Sequence, residues 1–150
     1  MMRCLSGLAL ALLFALPMQA AAQSAPAAKE AYLCKMSYVS PDNFIPGEMA
    51  FWIGPNGEVT VFDALIRHLG KSPIAARVTT NTAKRLTFKW SLDGIEAAKR
   101  GSTTGVTKLP NSRYTATWRK ETDLITVRVA LEGYDNRPNA RGRCAPIEKR

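Results

Sequence analysis

Between Ser112 and Leu131 the apolar residues recur at every second position, first in one run and then, after four polar residues, in another. Tyr114, Ala116 and Trp118 fall on one face, with Arg113, Thr115, Thr117 and Arg119 on the other. Ile125, Val127, Val129 and Leu131 then alternate with Thr126, Arg128 and Ala130. A helix, with about 3.6 residues per turn, would scatter such a set around its axis, so the segment reads as a β-hairpin. With Lys120 to Asp123 as the loop, Arg119 stands opposite Leu124 and Trp118 meets Ile125, Ala116 meets Val127 and Tyr114 meets Val129. A one-residue slip would bury arginines, so this register is strongly specified.

The pattern recurs upstream. Ala31 to Val39 alternates Tyr32, Cys34, Met36 and Tyr38 against Leu33, Lys35, Ser37 and Val39, and Ser40-Pro41-Asp42-Asn43 ends it. Ala50 to Asp63 is a second hairpin around Pro55-Asn56-Gly57, a three-residue loop with glycine in the left-handed position. It sets Gly54 opposite Glu58, Ile53 opposite Val59 and Phe51 opposite Val61, and leaves Trp52 and Phe62 on the other face in need of a cover. A third hairpin leads from Ala76, Val78 and Thr80 through Asn81-Thr82-Ala83 to Leu86, Phe88, Trp90 and Leu92.

Two segments are available as that cover. Asp63 is placed to cap a short turn carrying Leu65, Ile66 and Leu69 before Gly70, although an extended reading fits equally well. Asp93 and Glu96 have capping-box spacing, which predicts a helix of about two turns ending at Gly101. Gly101 to Pro110 reads as a polar loop. Gly133 to Arg143 reads as a second loop, delivering Cys144 in a short extended piece, Arg143 to Ala145. The expected fold is therefore mainly all-β: an antiparallel meander of seven or eight strands forming a small barrel or sandwich, with one or two short helices.

The N-terminus is of a different kind. Arg3 precedes the apolar run Leu8 to Leu16, Pro17 breaks it, and Ala20-Ala21-Ala22 supplies small residues for a signal peptidase. The reading is a cleaved signal peptide over 1–22, a lead-in over 23–30, one β-rich domain over 31–146 and a tail over 147–150, with the mature protein periplasmic or secreted. The apolar run is too short for a transmembrane span, so none is expected in the mature protein. Cys4 precedes that run, which does not suit a lipoprotein anchor. Cys34 and Cys144 remain as a pair, and in an oxidising compartment the simplest expectation is a disulfide.

Removal of Arg3 lowers the basic count from 21 to 20 against 12 acidic residues, a net charge of +8. Such a charge favours anionic partners, an envelope component or an acidic protein. Tyr114, Trp118 and Trp90 alternate inward, away from the charges, so the interleaved aromatics of a nucleic-acid binder are missing. Two basic groupings stand out. Arg137, Arg141 and Arg143 lie in one loop beside Tyr134, a set suited to bidentate recognition of carboxylate or phosphate. Arg113, Thr115, Thr117 and Arg119 face the same way as Arg128 across the hairpin.

Catalysis finds little support. His68 is the only histidine and sits among Leu65, Ile66 and Leu69, which predicts a half-buried structural side chain. The sequence has no glycine-rich phosphate loop, no Gly-x-Ser-x-Gly and no His-Glu-x-x-His, and one histidine with two cysteines does not make a zinc site. No cofactor or metal is expected.

Ala31-Tyr32-Leu33-Cys34, Gly133-Tyr134-Asp135-Asn136 and the terminal Cys144 resemble uncharacterised small secreted β-rich proteins of Gram-negative bacteria. That resemblance implies export and a disulfide and says nothing of activity. The Tyr-x-Cys start is also similar to that of periplasmic lysozyme inhibitors. The leading expectation is a non-enzymatic, exported binding module recognising an anionic partner through basic loops. An inhibitor of a cell-wall hydrolase such as lysozyme and a lipocalin-like small-ligand carrier are the alternatives.

Overall fold

Alternation written this clearly leaves the backbone one efficient way to satisfy its amides, pairing neighbour with neighbour until the sheet meets itself. The computed structural model describes residues 29–40, 44–98, 106–109, 111–133, 135 and 137–148. The expected signal segment, residues 23–28 of the lead-in and the last two residues of the tail lie outside the described residues. Within them run β1 (Glu30–Val39), β2 (Glu48–Ile53), β3 (Val59–Asp63), α1 (Ala64–His68), β4 (Ile74–Asn81), β5 (Arg85–Leu92), β6 (Ile95–Ala98), β7 (Val106–Leu109), β8 (Ser112–Arg119), β9 (Leu124–Ala130) and β10 (Asn139–Pro146).

Eight of these close into an antiparallel barrel in the order β1-β10-β9-β8-β5-β4-β3-β2, and β6 and β7 form a separate two-stranded inset between β5 and β8. Closure removes the free edges that an open sheet would present. The expected registers hold: Trp118 with Ile125, Ala116 with Val127 and Tyr114 with Val129 in one hairpin, and Ile53 with Val59 and Phe51 with Val61 in another. Gly57, at φ 82°, occupies the left-handed position of its turn.

Cys34 and Cys144 are opposite each other on β1 and β10 and form the disulfide, so the bond lies across the seam where the first and last barrel strands meet. Two residues away on that seam is Gly142, opposite Met36. A Cβ there would collide with the Lys35 carbonyl oxygen and the Met36 backbone, so only glycine permits this approach.

An eight-stranded barrel is just wide enough to be filled by side chains, and this one is filled by aromatic rings. Tyr32 stacks on Phe51 at 5.1 Å and lies 4.4 Å from Trp118; Phe51 reaches Phe88, Phe88 reaches Trp90, and Trp90 stacks on Tyr114 at 5.1 Å. Val59, Val61, Leu86, Ile125 and Val127 complete the packing. At one end the barrel is plugged. Ile45, Ile66, Ile95, Leu109 and Leu131 are all buried there, and the Tyr114 hydroxyl donates to the Phe44 carbonyl at 2.9 Å.

Four expectations are corrected. The helix over 93–101 is not formed: Ile95–Ala98 is a strand paired with Val106–Leu109, and Gly101 lies outside the described residues. The Asp93 carboxylate accepts from the Asn111 amide at 2.8 Å, tying the base of the inset rather than capping a helix, and a two-turn helix has little stability of its own to compete. That pairing also turns part of the expected 101–110 loop into a strand. The last strand begins at Asn139 rather than Arg143, because Ala140 and Gly142 fill inward positions that are too small to read as apolar alternation. In β1 a bulge between Met36 and Tyr38 turns Tyr38 outward and Val39 inward.

The open choice at Asp63 resolves as a helix. Its carboxylate accepts from the Ile66 amide at 2.8 Å, and Gly70 follows at φ 68°. This helix seals the end of the barrel with Ile66 and leaves Trp52 and Phe62 half-buried on the outer face.

Candidate functional site

Because one face of each barrel strand is committed to the core, the alternate residues are committed to solvent, and what they are decides what the wall can bind. On β4, β5, β8, β9 and β10 the outward charged residues are Arg77, Arg85, Lys89, Arg113, Arg119, Arg128, Arg141 and Arg143, all exposed, and these five strands contain no aspartate or glutamate. The acidic residues between Ile74 and Pro146, namely Asp93, Glu96, Glu121, Asp123, Glu132 and Asp135, sit outside these five strands. A cationic band five strands wide therefore crosses the middle of the barrel.

Register arranges the band in rows. Arg77, Lys89, Thr115, Arg128 and Asn139 lie side by side across the five strands. The next row holds Thr87, Thr117, Thr126 and Arg141, and the one beyond it Arg85, Arg119, Leu124 and Arg143. With strands about 4.8 Å apart and alternate residues nearly 7 Å apart along each strand, the hydroxyls and guanidiniums form a two-dimensional grid. Arg77, Lys89, Arg113, Arg128 and Arg137 share one open concavity of about 580 Å³ at the row nearer the plugged end.

The wall sets cation against cation. Arg77 is directly opposite Lys89, Arg85 opposite Arg119, and, at the seam, Lys35 opposite Arg143. Like charges directly across a sheet destabilise it by some tenths of a kcal/mol per pair, where an opposite charge would have stabilised it. Among the described residues the one ion pair is Lys35 with Glu48 at 3.8 Å, so the positive charge of the wall is not neutralised internally. A bound anion would relieve that repulsion.

The residues singled out in the sequence are distributed differently from their proximity in the chain. Arg137 joins the concavity. Arg141 and Arg143 belong to β10 and occupy successive outward positions in different rows, and the Arg143 guanidinium donates to the Thr122 carbonyl at 3.0 Å. Tyr134 lies outside the described residues. Arg113, Thr115, Thr117, Arg119 and Arg128 share the outer face as expected. Arg77 and Lys89 were missed as partners of that face. Their outward phase is visible in the third hairpin, but the pairing of β5 with β8 spans the inset between them and has no local signal.

His68 is exposed at the end of α1, not half-buried, because Ile66 takes the inward position of this single turn. It borders a shallow groove of about 450 Å³ with Glu96 and Lys108 from the inset. Among the described residues no group of three or more metal-ligating side chains occurs. Two buried oxygens titrate abnormally at the plugged end: burial raises the Asp63 carboxyl above its ordinary value, against the lowering effect of the Ile66 and Leu65 amides, and burial together with Asp63 raises the Tyr114 phenol. Both serve structural hydrogen bonds. No helix among the described residues is long and apolar enough to cross a membrane.

No known protein family, no curated protein and no solved structure matches this chain.

Proposed function

We propose that this protein is an exported, non-enzymatic binding module whose cationic wall engages an anionic envelope component presenting phosphates or carboxylates in an array. The observation that carries the reading is the run of five adjacent strands with eight exposed cations and no carboxylate. Threonine hydroxyls between the cationic rows add neutral donors suited to phosphate oxygens, and arginine supplies paired donors that lysine lacks. A small single anion would use only two or three of these groups, whereas an extended one uses many. The outward positions of the wall carry no aromatic side chain, which disfavours base stacking and hence single-stranded nucleic acid. Surface recognition is further supported over internal carriage by the aromatic rings that occupy the barrel interior. The Cys34–Cys144 disulfide is compatible with an oxidising compartment.

Vesicles containing phosphatidylglycerol test the reading. Exposed charges are screened over about 8 Å at physiological salt, so binding is expected to weaken steeply as sodium chloride rises. Affinity independent of salt, or equal affinity for neutral phosphatidylcholine vesicles, would contradict it.

A further inference from the structure

The end of the barrel opposite the plug has a different character from the wall. There the chain passes through the start of β1, the β2–β3 and β4–β5 turns, the β8–β9 turn and the end of β10, and these enclose an open concavity of about 660 Å³. We propose that this mouth is a binding site for a neutral polyhydroxylated ligand, a short saccharide, with Tyr32 as its aromatic surface and Glu30, Asn81, Lys120 and Asp123 as its hydrogen-bonding rim.

The charge balance separates the mouth from the wall. Lys29 and Lys120 are matched by Glu30 and Asp123 among the lining residues, so neither an anion nor a cation gains from net charge. What remains is a mixture of donors and acceptors around the ring of Tyr32. A sugar ring presents that same combination, with hydroxyls that both donate and accept and a C–H face that packs on an aromatic surface. The volume falls within the roughly 300 to 1,000 Å³ of small-molecule sites.

Several groups are already oriented. The Tyr32 hydroxyl donates to Glu30 Oε2 at 2.9 Å, which holds that carboxylate at the rim while its other oxygen is outside this bond. Lys120 Nζ donates to Asn81 Oδ1 at 2.9 Å, joining the β8–β9 and β4–β5 turns. Asp123 is fixed in the left-handed conformation at φ 55°, and its carbonyl accepts from the Cys144 amide at 2.9 Å. Trp118 is only 4 % exposed and lies directly beneath Tyr32, its ring 4.4 Å away, so it senses the mouth from below; its buried indole N–H has no acceptor among the described residues, as is also true of Trp90.

The sequence has three tryptophans, so indole N–H resonances in a nitrogen-15 correlation spectrum report on the mouth directly. Chitotriose and cellotriose are the probes. The Trp118 resonance, identified by its loss in Trp118→Phe, is expected to move saturably with one of them while Trp90, at the plugged end, stays in place. Glu30→Gln and Asp123→Asn, both at exposed positions compatible with the fold, should weaken the midpoint about tenfold, equivalent to about 1.4 kcal/mol. A saturable response of Trp118 to choline or inorganic phosphate in place of the saccharides would overturn the proposal. So would the absence of any Trp118 shift up to about 10 mM probe, where even a site of about −3 kcal/mol would be half filled. Reversing charges on the wall should leave this response intact, so the two sites stand or fall separately.

Discussion

Replacing both half-cystines, as Cys34→Ala with Cys144→Ala, removes the one covalent link across the barrel seam without removing the seam itself. The two residues are 110 positions apart in sequence, and a chain-entropy treatment of a loop of that length gives about 4.8 kcal/mol at 25 °C. Both cysteines are buried, so lost packing adds to that figure, and the total expected cost is about 5 to 6 kcal/mol. A domain of this size shifts its melting temperature by about 4 °C per kcal/mol, which predicts a fall of about 20 to 25 °C. The β1–β10 pairing from Tyr32 with Pro146 to Val39 with Ala140 is retained, so the variant should still give a native near-ultraviolet spectrum at low temperature. Thermal denaturation followed by circular dichroism at 280 and 220 nm reads both quantities. A fall of under about 5 °C would show that the link contributes little to closure. Loss of the native spectrum at all temperatures would show that strand pairing does not close the barrel without it.

Three further substitutions probe separate elements. Gly142→Ala forces a side chain into the Lys35 carbonyl and Met36 backbone, two residues from the disulfide that prevents the strands from sliding. A loss of about 3 kcal/mol is expected by urea denaturation, and a loss under about 0.5 kcal/mol would contradict the close approach. Ile66→Ala opens the plugged end where Ile66 is fully buried, and should cost about 2 to 5 kcal/mol in the same assay. Asp63 makes a pH-dependent contribution of defined sign. Its carboxyl is raised in the folded state chiefly by burial, so just above pH 4 the folded protein retains a proton that the unfolded chain has released, and stability falls as pH rises through the raised value. Asp63→Asn keeps a capping side chain and should remove that fall from the melting-temperature profile. Identical profiles for the two proteins would refute the assignment.

The hairpin registers were legible because Trp118, Ala116 and Tyr114 keep period two on one strand while Ile125, Val127 and Val129 keep it on the next, and a polar turn of defined length links them. The same logic failed where a local signal is shared by two structures. Asp93 and Glu96 have helix-capping spacing, but opposite Ile95 and Glu96 lie Leu109 and Lys108 in a strand register that becomes visible only when the inset pairs. Nor could the bulge that turns Tyr38 outward be read from β1 alone, since it is a shift in the pairing with β10, beside the close approach at Gly142. The wall was half legible: Arg113, Arg119 and Arg128 were assigned one face, while Arg77 and Lys89 join them only because β5 and β8 become neighbours across the inset. The mouth was not legible at all, being assembled from strand ends and turns far apart in the chain.

The cationic wall is the central claim, and position-controlled charge reversal measures it most directly. Arg113→Glu with Arg128→Glu reverses two charges on the wall, and Arg67→Glu with Lys71→Glu reverses two exposed charges elsewhere, so both proteins carry the same net charge. Each cation near an anionic lipid surface is worth about 1 kcal/mol, so the wall variant should bind phosphatidylglycerol vesicles at least about 30-fold more weakly than the parent. The matched control should stay within about threefold. Equal losses in the two variants would mean that overall charge, and not this face of the barrel, governs binding.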